Sequence, residues 1–527
     1  MEVEEEPVSE RRLAWGAAAL ALILYAATWS PVVTWAHFGE DGPELETVGR
    51  TLGVAHPTGY PLFTLLVRLT GLALPPPWAA VNVVSLLAAA AAVGFLALAG
   101  RRLAAKAFPA GAASWIAGAA AAATMAVSLT WWRQAVIGEV YTLHVMLVAA
   151  VLALLFGERP RDRLLAAYLL GLGCAHHLQT VPFLLVVLAY LVLQGRYRPR
   201  PPHLLAFLVP LTLYGVLVVR AGQGPAFNWG NPETLRNLWW TVSGTPYRGN
   251  LFHGGASAVL LGWLQGLGAG PVDQLGWAGA GLAGLGLLVA VRRVPAEAAA
   301  LVLLFAGTAG VVAVYGIPDP AAYYLPAVVA ASLAAGLGTA AMARLALGLS
   351  RSRVRLVATA ALAGALAAFT GVQAVRTAPL ADARGEDAGF LFAQDAAAVL
   401  EPGALVIAHG DGRTFSLWYG TSVLEPRPET AVLYDNLLDW SWYRGQVART
   451  EPWVRLPEAP LPRVDRYRRL IDRNLGERPV YVTELPAVLE TRYRVATCGP
   501  LVRILGLRAT GAASSDRTGT ADRSRSG

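Results

Sequence analysis

The sequence predicts a polytopic α-helical membrane protein of about 11 transmembrane helices, followed by a small C-terminal α/β domain. Three observations predict it. Hydrophobic residues make up 55% of the 527 and charged residues only 15%, where a soluble globular chain carries roughly 25% charged residues; the mean hydropathy is +0.46. Apolar runs near the ~20 residues needed to cross a bilayer recur as far as residue 375. After residue 376 the composition changes to short β-like runs ending in polar residues, with helical patterns between them. Two cysteines, Cys174 and Cys498, rule out a disulfide framework, and no CxxC or HxxxH metal pattern occurs. The net charge of +8 reflects arginine-rich loops and not nucleic-acid binding, because no basic domain with interleaved aromatics is present.

The first apolar run, 13–33, follows the acidic lead MEVEEEPVSERR, which argues against a cleaved signal peptide, so it counts as the first span. Further runs lie near 79–99, 112–130, 137–156, 164–178, 180–194, 203–220, 274–291, 296–314, 321–343 and 354–375. Many are rich in Ala, Leu and Gly, as suits close helix packing in lipid. The stretch 59–74 is also apolar but ends at Pro75, Pro76 and Pro77. It reads as an amphipathic helix lying on the membrane within a first outer loop, 34–78. Charge supports this. With 59–74 not crossing, alternate connections carry 17 cations and the opposite ones, through residue 254, carry six. The bias puts the N-terminus in the cytoplasm and the 34–78 loop outside.

Beyond the membrane part, 1–376, the stretches ALVIAHG (404–410), TAVLYDN (430–436) and PVYVTEL (479–485) read as strands, and EDAGFLFAQDAAAVL (386–400) as a helix. An odd number of spans leaves this α/β domain, 377–510, on the exoplasmic side. The polar, Gly/Ser-rich tail 511–527 reads as disordered.

Unusual polar groups gather at the outer helix ends: the acidic loop 38–62, WWRQAVIGEVYTLH (131–144), CAHHLQT (174–180), FNWGNPETLRNLWWTVSGTPYRG (227–249) and YGIPDPAAYYLP (315–326). Ionisable groups at membrane depth cost ~2.5–3.5 kcal/mol or more each, so several at one level imply a shared polar cavity. Each has a plainer reading. Asp41 and Glu44, one helical turn apart, can face one site or be solvated acids at a helix N-terminus. Glu139 lies inside an otherwise apolar span. His176 and His177 point about 100° apart on a helix, a poor chelating pair. Arg133 beside Trp131 and Trp132 fits an interfacial anchor, Tyr323 and Tyr324 fit an aromatic belt, and Asp319 between two prolines fits a turn.

Taken together, EDGPELETVGRTLGVAHPTGYPLFTLL, WRQAVIGEVYTLH, GCAHHLQT, WGNPETLRNLWWTVSGTPYR and YGIPDPAAYYLP resemble the successive motifs of one family of membrane proteins. Its animal member is a protein O-mannosyltransferase, and the family is placed among GT-C-type glycosyltransferases. The resemblance spans about residues 13–330. GDGRTFSLWYG (410–420) also resembles a segment that related bacterial chains carry, with Arg413 where a second acid or amide run is usual. Pro43 departs from the commoner small residue between Asp41 and Glu44.

The resemblance implies a polyprenyl-phosphate sugar donor, often mannose-like, and a hydroxyl acceptor such as Ser or Thr of an exported protein. It implies a catalytic acid in the first outer loop. On that reading Asp41 accepts the acceptor's proton as the hydroxyl attacks C1, a role worth typically 10²–10⁴-fold. Glu44 orients the acceptor or supports Asp41. Donors facing the departing phosphate come from His56, Arg133, His176, His177 and Arg248, and Tyr60, Glu139, Tyr141, Asp319 and Tyr323 complete the candidate site. The reading assigns no cofactor and leaves a divalent metal open, since Asp41, Glu44 and a histidine could hold one. The partners implied are the donor lipid, a protein or glycan acceptor and membrane lipid, without nucleic acid. The GC-rich codon style suggested by high Ala, Arg and Gly points to a bacterial plasma membrane. A transferase acting on a glycan or lipid acceptor, a secondary transporter and an inactive scaffold are the alternative readings. No internal repeat supports the transporter.

Overall fold

The computed structural model describes residues 5–508 apart from 110, 158, 196–199, 253–254, 269, 318–319 and 458–459. The tail 511–527, expected to be disordered, and Asp319 lie outside the described residues.

Each of the eleven apolar runs contains a helix. Among the described residues six helices are long and apolar enough to cross a membrane, or seven if Ala112–Ala126 and Leu129–Ala135, bent by 71°, count as one span. Glu5–Ala26 has 22 residues but is not among these, and three other helices are shorter. Tyr141–Leu155 and Pro160–Cys174 have 15 residues each and Thr180–Leu193 has 14. Length and composition thus support six or seven of the expected 11 or so spans among the described residues. Gly255–Gly268 is a further apolar helix that the sequence reading left in a connection.

Two helices are embedded in the middle of the bundle. Leu325–Leu347 is buried over nearly its whole length, and Ala80–Ala107 is close behind. Their small residues let backbones touch. A Cβ on Gly338 would lie 2.1 Å from the Leu282 carbonyl oxygen, and one on Gly286 only 1.7 Å from that of Ala334. With lipid on the outside there is no hydrophobic drive between helices, so such contact carries the packing.

The stretch 59–74 folds as Pro61–Ala73. Its 13 residues reach about 20 Å at 1.5 Å per residue, short of the ~30 Å hydrocarbon core. Phe63, Thr64 and Val67 are buried while Leu69 and Leu72 are exposed, the two-sided pattern of a surface helix. Arg50 holds its far end: one Nη donates to the Gly71 carbonyl at 3.3 Å, and the other donates to those of Leu74 and Trp78 at 2.9 Å each. Glu46 orients Arg50 at 2.5 Å and accepts the Val81 N–H at 2.8 Å, which fastens the loop to the start of Ala80–Ala107.

The C-terminal part forms a five-stranded sheet with order β2-β1-β3-β5-β4. The strands are β1 (Leu405–Ala408), β2 (Ala431–Tyr434), β3 (Val480–Val482), β4 (Tyr493–Cys498) and β5 (Leu501–Leu507). β1 pairs in parallel with β2 and β3, and β5 runs antiparallel to β3 and β4. The first three lie inside the stretches read as strands, and the helix Ala388–Val399 lies inside 386–400. The β4–β5 hairpin was not anticipated.

Charged groups separate to the two ends of the bundle. At one end Glu10 pairs with Arg101 and Arg102, Arg102 lies 3.6 Å from Asp162, and Lys106 lies 3.4 Å from Glu297. The loop that holds Asp41 lies at the other, reached by the opposite ends of the same helices.

Candidate active site

The centre is built on the loop after the first helix. Asp41 precedes the short helix Gly42–Thr51, with Pro43 at its start, where a fixed φ suits a helix N-terminus. Glu44 is wholly buried. Its Oε1 accepts the His56 backbone N–H at 2.8 Å and its Oε2 meets His56 Nδ1 at 2.5 Å. The opposite ring nitrogen, Nε2, lies 3.5 Å from Asp41 Oδ2. Glu44, His56 and Asp41 thus form a chain of carboxylate, imidazole and carboxylate. Only Asp41 opens outward: 37% of its side chain is accessible, against 0% for Glu44 and 9% for His56.

Electrostatics follow the geometry. Burial alone would depress the His56 imidazole, but Glu44 and then Asp41 outweigh it and raise its pKa from 6.5 to about 10. His56 is therefore a cation at neutral pH. Desolvation pushes the Asp41 carboxyl above its ordinary range, His56 pulls it back, and Glu44 adds to the rise.

Behind His56 the lining is imidazole and phenol. His56 lies 5.2 Å from Tyr60, ring to ring, and Tyr60 lies 6.0 Å from His176 and 6.1 Å from His177. Tyr141 then contacts His177 at 5.6 Å and Tyr323 at 5.3 Å. The His176 ring is fixed by its Nε2 against the Val140 carbonyl at 3.1 Å. Glu139 is buried, and its backbone N–H and carbonyl both bond the Ser85 hydroxyl, at 3.0 and 2.8 Å. Among the described residues His144 Nε2, His176 Nδ1, Gln179 Oε1 and Thr241 Oγ1 are buried with no partner. Buried polar atoms are normally satisfied, so this concentration suits a polar ligand.

Two expectations about helix placement are corrected, and three other candidates are placed. Glu139 is not inside a span; it sits in the break between Leu129–Ala135 and Tyr141–Leu155. His176 and His177 are not on a helix, because Pro160–Cys174 has already ended and they occupy the turn beyond it. The short helices stop where they do because their outer ends are unwound into these loops. Arg133 donates its Nε–H to the Leu380 carbonyl at 3.1 Å, at the C-terminal end of Ser352–Ala381, where the helix dipole favours a cation. Arg248 is exposed and donates to Ser243 Oγ at 3.1 Å, while its neighbour Tyr247 is the residue turned toward Tyr60 and Asp41. Glu44, read as orienting the acceptor or supporting Asp41, contacts His56 through both carboxylate oxygens. Among the described residues no three His, Cys, Asp or Glu side chains are grouped to hold a metal ion.

Sequence reasoning missed what other parts of the chain add. His144 lies 4.9 Å from His177, ring to ring. Trp229 lies 6.1 Å from His56, because Val54 donates to the Phe227 carbonyl at 2.8 Å and accepts from Trp229 N–H at 3.3 Å. Gly53 permits this approach, since a Cβ there would lie 2.7 Å from the same Phe227 oxygen. The α/β domain closes the loop from above. Trp35 Nε1 donates to Ser416 Oγ at 3.0 Å, Glu40 accepts the Gly412 N–H, and the Tyr434 hydroxyl donates to Asp411. Desolvation and then the charge of Asp41 raise the Asp411 carboxyl. His144 and Trp229 lie in stretches assigned to the shared cavity and Asp411 in the 410–420 segment, but none of the three was singled out.

Residues 41–200, which hold Asp41, Glu44, His56, Glu139 and the histidine pair, match the family model described as the Protein O-mannosyl-transferase TMEM260 N-terminal domain. Over that stretch the chain is similar to this family. The mouse Protein O-mannosyl-transferase TMEM260 is 30% identical over 219 residues, which cover 38% of this chain and 30% of the mouse protein. The chain thus matches less than a third of that relative's length. Among solved structures, ArnT from Cupriavidus metallidurans bound to undecaprenyl phosphate superposes with a TM-score of 0.57 at 13% identity, covering 97% of this chain and 99% of that one. The apo form of ArnT gives 0.58 at 14% identity over 93% and 97%. The chain shares the ArnT fold, and its long apolar helices make it a multi-pass helical membrane protein.

Proposed function

We propose that the chain is a membrane glycosyltransferase. It moves a sugar, mannose or a close analogue, from a polyprenyl-phosphate donor to a hydroxyl, that of Ser or Thr in an exported protein. The observation that carries this reading is the Glu44–His56–Asp41 chain, in which one accessible carboxylate is held against a buried imidazolium. An alcohol is a weak nucleophile. A carboxylate within reach takes its proton as it attacks C1, and an elevated pKa makes Asp41 a better acceptor of that proton. The bond from C1 to the phosphate oxygen breaks as the new C–O bond forms, so one displacement inverts the anomeric centre. The leaving phosphate gathers negative charge and needs fixed donors more than protonation. The His56 imidazolium and the unpartnered nitrogens of His144 and His176 supply candidates for that task.

The fold likeness to a protein whose crystal structure holds undecaprenyl phosphate supports a polyprenyl carrier. The family match over the centre supports a protein hydroxyl as acceptor. On this reading about 11 helical runs, 1–376, form the catalytic membrane part and the N-terminus is cytoplasmic. The 377–510 domain is exoplasmic, and the protein resides in a bacterial plasma membrane.

The test uses purified protein in lipid nanodiscs with a panel of polyprenyl-phosphate monosaccharides and Ser/Thr peptides. One donor is expected to give inverted product. Asp41→Ala is expected to bind that donor lipid and fail to transfer. Full turnover by Asp41→Ala overturns the base assignment, and absence of transfer from every donor overturns the transferase reading.

A further inference from the structure

A second cavity, of about 340 Å³, lies beside the centre between the 226–229 segment and the α/β domain. Its walls include Phe227, Trp229, Trp418, Trp442 and Tyr443. Trp229 separates the two sites: its ring lies 6.1 Å from His56 and 6.3 Å from Trp442.

The same walls carry unused hydrogen-bonding capacity. Asn228 Oδ1, Trp229 Nε1, Arg427 Nε, Thr430 Oγ1, Trp442 Nε1 and Gln446 Oε1 are buried with no partner among the described residues. Half a dozen on one cavity is far from the usual condition of buried polar atoms. Donors and acceptors are both present, so the matching ligand carries groups that do both, as hydroxyls do. The aromatic walls ask for an apolar face on the same ligand. A sugar ring has both: C–H bonds on its faces and hydroxyls around its rim.

Charge and backbone narrow the choice. Arg427 is already paired with Glu425 at 3.0 Å and Glu451 also lines the cavity, so no free cation recommends a phosphate. β2 is an edge strand of the sheet and Val432 and Leu433 line the cavity, which would invite an extended peptide. That edge is already occupied by side chains, however. The Tyr443 hydroxyl accepts the Tyr434 N–H at 3.0 Å, and Trp418 Nε1 reaches the Val432 carbonyl at 3.4 Å.

We propose that this cavity is a binding site for a neutral saccharide, distinct from the transfer centre and separated from it by Trp229. Its binding claim does not depend on the transferase reading. If that reading holds, the site takes a sugar already present on the acceptor or product, one tryptophan away from the reacting hydroxyl.

Saturation-transfer NMR and tryptophan fluorescence on the full chain in nanodiscs test it with mannobiose, maltose and chitobiose, and with a Ser/Thr peptide as the competing class. At least one disaccharide is expected to bind saturably and the peptide is not. Gln446→Leu and Trp442→Ala are expected to weaken that binding at least tenfold, and Asp41→Asn to leave it within twofold. Trp442→Phe, which keeps a ring and loses the N–H, serves if the alanine variant does not fold. No saturable binding of any disaccharide overturns the proposal. So does binding insensitive to the cavity variants, binding abolished by Asp41→Asn, which would place the sugar at the transfer centre, or capture of the peptide instead. Because binding and not turnover is read, failure here leaves the transferase test untouched.

Discussion

The two ends of the helical bundle use similar residue types to opposite effect. At the Glu10 end, acids and cations are matched: Glu10 meets Arg101 and Arg102, Arg102 also reaches Asp162, and Glu297 meets Lys106, the Tyr190 hydroxyl and Gln194. At the Asp41 end, two carboxylates share one imidazole, and buried nitrogens of His144 and His176 meet no partner among the described residues. A matched cluster is finished and holds helices together. An unmatched one is unfinished until something polar enters it. Burial alone does not tell a site from a staple; the balance of donors against acceptors does.

Asp41→Asn breaks the unfinished end most severely. Transfer is expected to fall by roughly 10²–10⁴-fold, with donor-lipid binding and melting temperature nearly unchanged, as single-turnover assays and thermal melts would record. Arg102→Met breaks the finished end. Removing one partner of a buried ion pair costs about 3–5 kcal/mol, so the melting temperature in nanodiscs should drop by several degrees while the rate per folded molecule holds. Loss of transfer without loss of stability there would reverse the comparison.

Glu44→Gln sharpens it. His56 has a raised folded pKa, so its stabilising charge is fully present below 6.5 and is lost as pH rises through about 10. Without the Glu44 charge that loss should move down toward neutral pH, in both the melting temperature and the alkaline side of the rate profile. Arg133→Ala should have the smallest effect, under threefold on transfer, because its contact is with the Leu380 carbonyl and not with the centre.

Much of this was legible in the chain, for reasons of period and length. Apolar runs report helices because lipid leaves the backbone no other partner. Pro61–Ala73 was readable as a surface helix because the prolines after it and the charge bias agree. Four acids within seven residues marked the 40–46 segment, but their spacing left Asp41 open between a site and a helix N-terminus. Glu46 shows the limit: beside Asp41 in sequence, it serves Arg50 and the Val81 N–H instead. Glu139 and the histidine pair were assigned to helices because hydropathy cannot see where a helix unwinds. The β4–β5 hairpin was hidden by its half-exposed, arginine-bearing strands. Trp229 and Asp411 reach the centre only through tertiary contacts between segments far apart in the chain, which no local pattern encodes.

The pH dependence of single-turnover transfer tests the central claim most directly. The account predicts a bell. Its acid side is set by Asp41 losing a proton above the ordinary value of 3.8, and its alkaline side by His56 losing one near pH 10. The acid side should vanish in Asp41→Asn. A rate that is flat across the whole range, or an acid side that survives in that variant, would contradict it.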